Sequence, residues 1–182
     1  MKKFLAIALI AVVAMTAVFA NGSSESASSE IKIGFIGPLT GDYANCGTRC
    51  RQAVQMAIDE CNAKGGVNGF TVKLIAEDSE GDPNKAYAAM EKLANTDKVC
   101  AVVGPVLTGE AFSVGPIACE LGVLAVTPSA SHKDVTNQGD YIFRTTPSDG
   151  LQGEVAGKYW YQILGYRKLA VLYAKNDYSQ GL

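Results

Sequence analysis

Histidine and tryptophan each occur once among the 182 residues, and there is no excess of basic side chains. With His132 as the only imidazole, a zinc site would need ligands that the chain does not readily supply. Sixteen Lys and Arg against eighteen Asp and Glu leave a formal charge of −2, so no electropositive footprint for nucleic acid exists. No G-x-S-x-G elbow and no G-x-x-x-x-G-K phosphate loop occurs, and Gly34, Gly37 and Gly41 lack dinucleotide-binding spacing. The longest apolar run, residues 4–17 broken only by Thr16, is shorter than the roughly 20 residues that span a bilayer. These absences argue against an enzyme, a cofactor or metal protein, a nucleic-acid binder and a membrane-spanning chain.

The same apolar run has a second reading. It follows Lys2-Lys3 and ends in Val18-Phe19-Ala20, which is the layout of a cleavable secretory leader over residues 1–20. No cysteine follows the cleavage position, so a lipoprotein anchor has no attachment point. Residues 21–30 are Ser-rich and read as a solvated tether. Five cysteines lie beyond the leader, an odd number that cannot pair completely within one chain. Cys61, Cys100 and Cys119 sit where small apolar residues would pack, and Cys46 and Cys50 share helical i, i+4 spacing. Buried free thiols, with room for one pair, are expected.

Beyond residue 30 short apolar runs alternate with amphipathic stretches. Residues 31–36 read as a strand. Residues 49–64 read as a helix with Ala53, Val54, Ala57, Ile58 and Cys61 on one stripe, stopped by Gly65-Gly66. A second strand covers residues 70–77. Asp82-Pro83 supplies an N-cap and a proline at the first helical position. Strands at 99–103 and 124–126 bracket a helix at 110–121, whose middle Gly115-Pro116 should disturb. After a short extended piece at 142–144, Asp149 caps a helix to residue 164 with Leu151, Val155, Tyr159 and Ile163 at i, i+4 intervals. Residues 169–173 read as a further strand. Repeated β-α units imply a parallel, doubly wound α/β sheet. Ligands in such sheets sit beyond the carboxyl ends of strands. Here those positions hold Leu107-Thr108-Gly109 and Thr127-Pro128-Ser129-Ala130-Ser131.

The segments IKIGFIGPLTGDYANCG, AIDECNAKGGVNG, VKLIAEDSEGDP, AVVGPVLTGEAF, VLAVTPSASHKDVT, YIFRTTPSDGLQG and AVLYAKNDYSQGL occur in this order. Together they resemble the leucine/isoleucine/valine-binding family of periplasmic proteins, the substrate-binding components of ABC importers with a type I periplasmic-binding fold. The resemblance runs over nearly all of residues 31–182. It implies a first ligand-binding lobe at 31–145, incomplete because later segments finish it, and the beginning of a second α/β lobe at 146–182. It also implies a periplasmic monomer that binds an amino acid of the branched-chain class and hands it to permease and ATPase subunits, without a cofactor.

Position by position, the resemblance gives Thr108 the ligand carboxylate, through hydroxyl and backbone N–H. Gly109 follows it in the same loop. Ser129 offers its carbonyl to the ammonium, Ala130 follows it, and Ser131 contacts the zwitterion. Tyr178 closes over the ligand from the second lobe. Cys46 falls where relatives carry an aromatic lining the side-chain pocket, which leaves room for a larger solute. The acidic residue that relatives use to pair with the ammonium has no counterpart in this chain. A carboxylate suits helix N-termini, and short hydroxyls add hydrogen bonds without a buried charge. Plainer roles stay open at each position: Thr108 as a helix cap, Ser129 and Ser131 as turn residues, Tyr178 as a surface aromatic. At the level of function an extracytoplasmic sensing domain and a truncated remnant remain alternatives.

Overall fold

The computed structural model of the protein describes residues 30–182. The expected leader, and the tether through residue 29, lie outside the described residues; Glu30, assigned above to the tether, instead opens the first strand. Five strands form one parallel sheet: β1 (Glu30–Gly37), β2 (Thr71–Asp78), β3 (Ala101–Val103), β4 (Leu124–Thr127) and β5 (Ile142–Arg144), in the order β2-β1-β3-β4-β5. The chain winds outward from β1 to β2, then crosses back and continues through β3 to β5. That reversal places a crevice between the ends of β1 and β3.

Helices α1 (Ala44–Ala63), α2 (Pro83–Lys92) and α3 (Thr108–Leu121) connect the strands, and α4 (Asp149–Lys158) and α5 (Asp177–Gly181) follow β5. Local chemistry sets their ends. The Asp82 carboxylate accepts hydrogen bonds from the backbone N–H groups of Asn84 at 2.7 Å and Lys85 at 3.1 Å, so α2 starts where the Asp-Pro pair indicates. Helix α1 stops before Gly65 and Gly66, both at positive φ. A Cβ at Gly66 would lie 2.0 Å from the Phe70 carbonyl oxygen, so only glycine permits that turn. Helix α3 runs unbroken through Pro116, against expectation. The proline is exposed, so the carbonyl it leaves unbonded faces the solvent side of the helix.

Register shows how the sheet is covered. Ile75, Gly34, Val102, Ala125 and Ile142 lie side by side on one face. Against them pack Ala86, Ala89, Met90 and Leu93 from the α2 segment and Ala111, Val114, Ile117 and Ala118 from α3, and this is the main core. Gly34 is required there, because a Cβ would come within 2.9 Å of a Leu93 methyl. The neighbouring row, Ala76, Phe35, Val103, Val126 and Phe143, points to the other face. Right-handed β1-α1-β2 winding puts α1 there. Phe35 is fully buried, but coverage fails toward β5, where Phe143 is 51% exposed.

Several expectations are corrected by this packing. On α1 only Gly47 and Ile58 are buried, so the predicted apolar stripe is largely uncovered. Ser148, not Asp149, caps α4, accepting from the Leu151 N–H. The α-helix ends at Lys158 and continues as one π-turn, Tyr159–Ile163. Its stripe of Leu151, Val155, Tyr159 and Ile163 faces solvent. Residues 169–173 form no strand, and Leu172 is wholly exposed. A strand needs a neighbour to take its backbone hydrogen bonds, and none is adjacent. All five cysteines are free thiols and none is buried; Cys46 and Cys100 are exposed.

Candidate functional site

A cavity of about 750 Å³ opens at the carboxyl ends of the strands, a volume suited to a small molecule. Its wall comes from every connection on that side of the sheet. Tyr43 enters from the β1-α1 loop, Gly81 and Pro83 from β2-α2, and residues 106–110 from β3-α3. Ser129, Ala130 and Ser131 follow β4, Thr146, Pro147 and Gln152 follow β5, and residues 176–178 close the far side. Six of the seven residues singled out from sequence therefore share one cavity: Thr108, Gly109, Ser129, Ala130, Ser131 and Tyr178.

Thr108 opens α3 and is 3% exposed. Its Oγ1 has no hydrogen-bond partner among the described residues. A buried hydroxyl without a partner is costly, so a polar group supplied from the cavity would satisfy it. Glu110, one turn into the helix, folds back to accept the Leu107 N–H at 3.0 Å and the Ser79 hydroxyl at 2.5 Å. Burial pushes its carboxyl above the usual glutamate range, against the lowering effect of the Ser79 and backbone hydrogen bonds, with Asp78 nearby adding to the rise. Those bonds fix the start of α3 and so the orientation of Thr108.

The turn after β4 is shaped by Thr127, which is fully buried. Its hydroxyl oxygen accepts from the N–H of Ala130 at 3.0 Å and of Ser129 at 3.4 Å. The Ser131 carbonyl in turn accepts the Asp149 N–H at 2.9 Å, and the Arg144 guanidinium donates to the His132 carbonyl at 2.8 Å. Asp149 is itself fully buried, and its Oδ2 has no partner among the described residues. At the end of β2, the Asp78 carboxylate takes hydrogen bonds from the Leu39 N–H at 2.7 Å and the Thr40 hydroxyl at 2.6 Å, which holds the β1-α1 loop in place.

Cys46 is the site candidate that the structure leaves out. It lies on the exposed side of the first turn of α1 and lines no part of the cavity. The aromatic in that region is Tyr43, whose ring rests 3.2 Å from where a Gly81 Cβ would stand. The sequence signal was an aromatic in the glycine-bounded loop after β1, three positions before the cysteine. Asp177 is a lining residue that the sequence does not single out. Thr127, expected in the loop after the strand, is instead the last residue of β4 and does not line the cavity, and Asp177 reaches the cavity only because residues 176–181 fold back toward α3. His132 stays outside, its ring edge-on to Phe112 at 5.0 Å. Among the described residues no cluster of three or more His, Cys, Asp or Glu is placed to hold a metal, and no helix is long and apolar enough to cross a membrane.

A family model described as periplasmic binding protein matches residues 30–182. The Leu/Ile/Val-binding protein BraC3 of Rhizobium johnstonii is 39% identical over 157 residues, covering 86% of this chain and 42% of the relative. The fold matches the branched-chain amino acid transporter substrate-binding protein LivJ of Streptococcus pneumoniae, solved with isoleucine, at 33% identity and a TM-score of 0.71. That match covers 75% of this chain and 39% of LivJ. A solute-binding protein of an ABC transporter from R. palustris, solved with 4-hydroxybenzoate, matches at 28% identity and a TM-score of 0.71, over 83% of this chain and 40% of its own. The chain thus spans less than half the length of each.

Proposed function

This chain belongs to the periplasmic binding protein family, and we propose that it forms one wall of a solute-binding cleft for an ABC importer, outside the cytoplasmic membrane. Its solute is an amino acid of the branched-chain class, passed on to permease and ATPase subunits. Residues 31–145 are the first lobe and residues 146–182 lead toward the second. The observation that carries this reading is the unsatisfied, buried Thr108 hydroxyl at the mouth of a cavity lined by the start of α3. There, the first N–H groups of the helix and the helix dipole favour a carboxylate. Carbonyls of the 129–131 turn supply acceptors for an ammonium. Tyr43, Pro83 and Leu107 offer apolar surface for an aliphatic side chain. The leader-like residues 1–20 support export.

In this reading the matched part of the relatives gives one side of the cleft, and tight binding needs closure of the other. The test is amide chemical-shift mapping of the chain with leucine, isoleucine and valine. Saturable shifts at Thr108, Gly109 and Ser131 are expected, with dissociation constants of about a millimolar, or 4 kcal/mol of binding energy. Thr108→Val should abolish them while leaving the unfolding midpoint unchanged or raised, since it removes an unpartnered buried hydroxyl. Shifts confined to other surfaces would defeat the proposal.

A further inference from the structure

The first two turns of α1 carry a pair of thiols that the cleft does not use. Cys46 and Cys50 stand four residues apart in one continuous helix, so their side chains leave the same face with Cβ atoms about 5–6 Å apart. Cys46 is exposed and Cys50 half-buried, which keeps the pair open to solvent. Burial first, then the charge and hydrogen bond of Cys46, push the Cys50 thiol above its usual range. That hydrogen bond requires the two sulfurs to lie side by side. The backbone beneath them is held in place. The N–H groups of Cys46 and Gly47 donate to the Tyr43 carbonyl at 3.0 and 3.2 Å, and Gly47 packs against the Pro38 carbonyl. Neither cysteine lines the cavity.

A direct S–S bond needs Cβ atoms about 3.5–4.5 Å apart, closer than an undistorted helix brings them. A bridging ion with two sulfur bonds of roughly 2.3 Å spans up to about 4.6 Å between the sulfurs, and fits without unwinding the turn. The number of ligands then selects the ion. Among the described residues no group of three or more His, Cys, Asp or Glu is placed to hold a metal. Zinc, which takes four ligands, is therefore poorly served. Copper(I) is soft, is selected by thiolates, and is satisfied by two of them in line. We propose that Cys46 and Cys50 form a two-thiolate site for a soft monovalent cation of the copper(I) type. Binding exchanges two S–H bonds for two S–Cu bonds and releases two protons, with no change of oxidation state. The complex carries one negative charge. Arg49, three residues beyond Cys46 and beside it on the helix surface, carries the opposite one. The site stands apart from the cleft and does not depend on its reading.

The test titrates the full chain with copper(I), without oxygen and against the chromophoric chelator bicinchoninate, and maps amide shifts on the same samples. One equivalent should be retained, with the shifts centred on residues 46–50. Losing an outer-shell partner alone costs about 10–100-fold in metal affinity, so Cys46→Ser or Cys50→Ser, which removes a ligand outright, should cost at least about a hundredfold. Cys100→Ser removes an exposed thiol elsewhere and should change nothing. Zinc at the same concentration should leave the residue 46–50 amides unmoved. Because Cys46 is exposed, Cys46→Ser should keep the wild-type unfolding midpoint, which separates loss of a ligand from loss of the fold. The inference is overturned if the wild-type chain retains no copper(I), or if either serine variant at 46 or 50 holds it as tightly as the wild type. It is equally overturned if Cys100→Ser is the variant that releases it, or if the shifts lie away from α1.

Discussion

One face of the sheet is sealed by α2 and α3, while the other is covered over β1 and left open toward β5. Met90, Leu93, Val102 and Val114 on the first face are completely buried, whereas Leu124 and Phe143 on the second are more than a third exposed. Sequence character does not explain the difference, because both rows are apolar. The number of helices on each side does. Among the described residues two helices lie over the sealed face, and only α1 lies over the other. The bare stripe of α4 belongs with the open side in this respect, being apolar surface left uncovered among the described residues. The sealed face should therefore hold the stability of the described residues, and the open one should contribute little.

The sharpest way to break that comparison is truncation in the sealed core. Met90→Ala should cost about 3 kcal/mol in urea unfolding, and Phe143→Ala on the open face less than about 1 kcal/mol. Equal losses would show that the faces are energetically alike. Next in size comes the close approach of α1 to the loop after β1. A Cβ at Gly47 would fall 1.9 Å from the Pro38 carbonyl oxygen, so Gly47→Ala should cost about 2 kcal/mol by pushing the helix off the β1 loop.

A smaller effect sharpens the picture at the helix start. Burial raises the Glu110 carboxyl in the folded state. A carboxyl raised on folding contributes stability that is present below its unfolded pKa and lost as pH rises through its folded value. Stability from this group should therefore fall as pH increases above about 4.5. Glu110→Gln should flatten that slope while retaining an acceptor for the Leu107 N–H. Asp78 and Asp134 are shifted the other way, Asp78 by bonds that outweigh its partial burial and Asp134 chiefly by Lys133. Their contributions are lost only as pH falls through still more acidic values, so the windows separate. An unchanged slope in Glu110→Gln would remove Glu110 from the account. The smallest effect is expected on the bare stripe, where Val155→Ser should change stability by no more than about 0.5 kcal/mol.

Much of the fold could be read in advance because its signals are local. Asp82-Pro83 can begin a helix by itself, and Gly65-Gly66 can end one, since both act through the backbone of their immediate neighbours. The loops after β3 and β4 were likewise found from strand pattern alone. Tyr43 was not distinguished from Cys46, because which of two residues one turn apart faces a cavity depends on where α1 settles against Pro38. Residues 169–173 have the composition of a strand, yet composition cannot supply a partner.

By itself the sequence determined where helices start and stop, the parallel order of the β-α units, and the small hydroxylated loops at their carboxyl ends. Each follows from interactions between residues close along the chain. Tertiary structure alone decided that Thr108 is buried without a partner, that Asp177 comes to rest beside Gly109, and that one face of the sheet is sealed while the other stays open. Those outcomes depend on distances between segments far apart in sequence, and packing, not local preference, sets such distances.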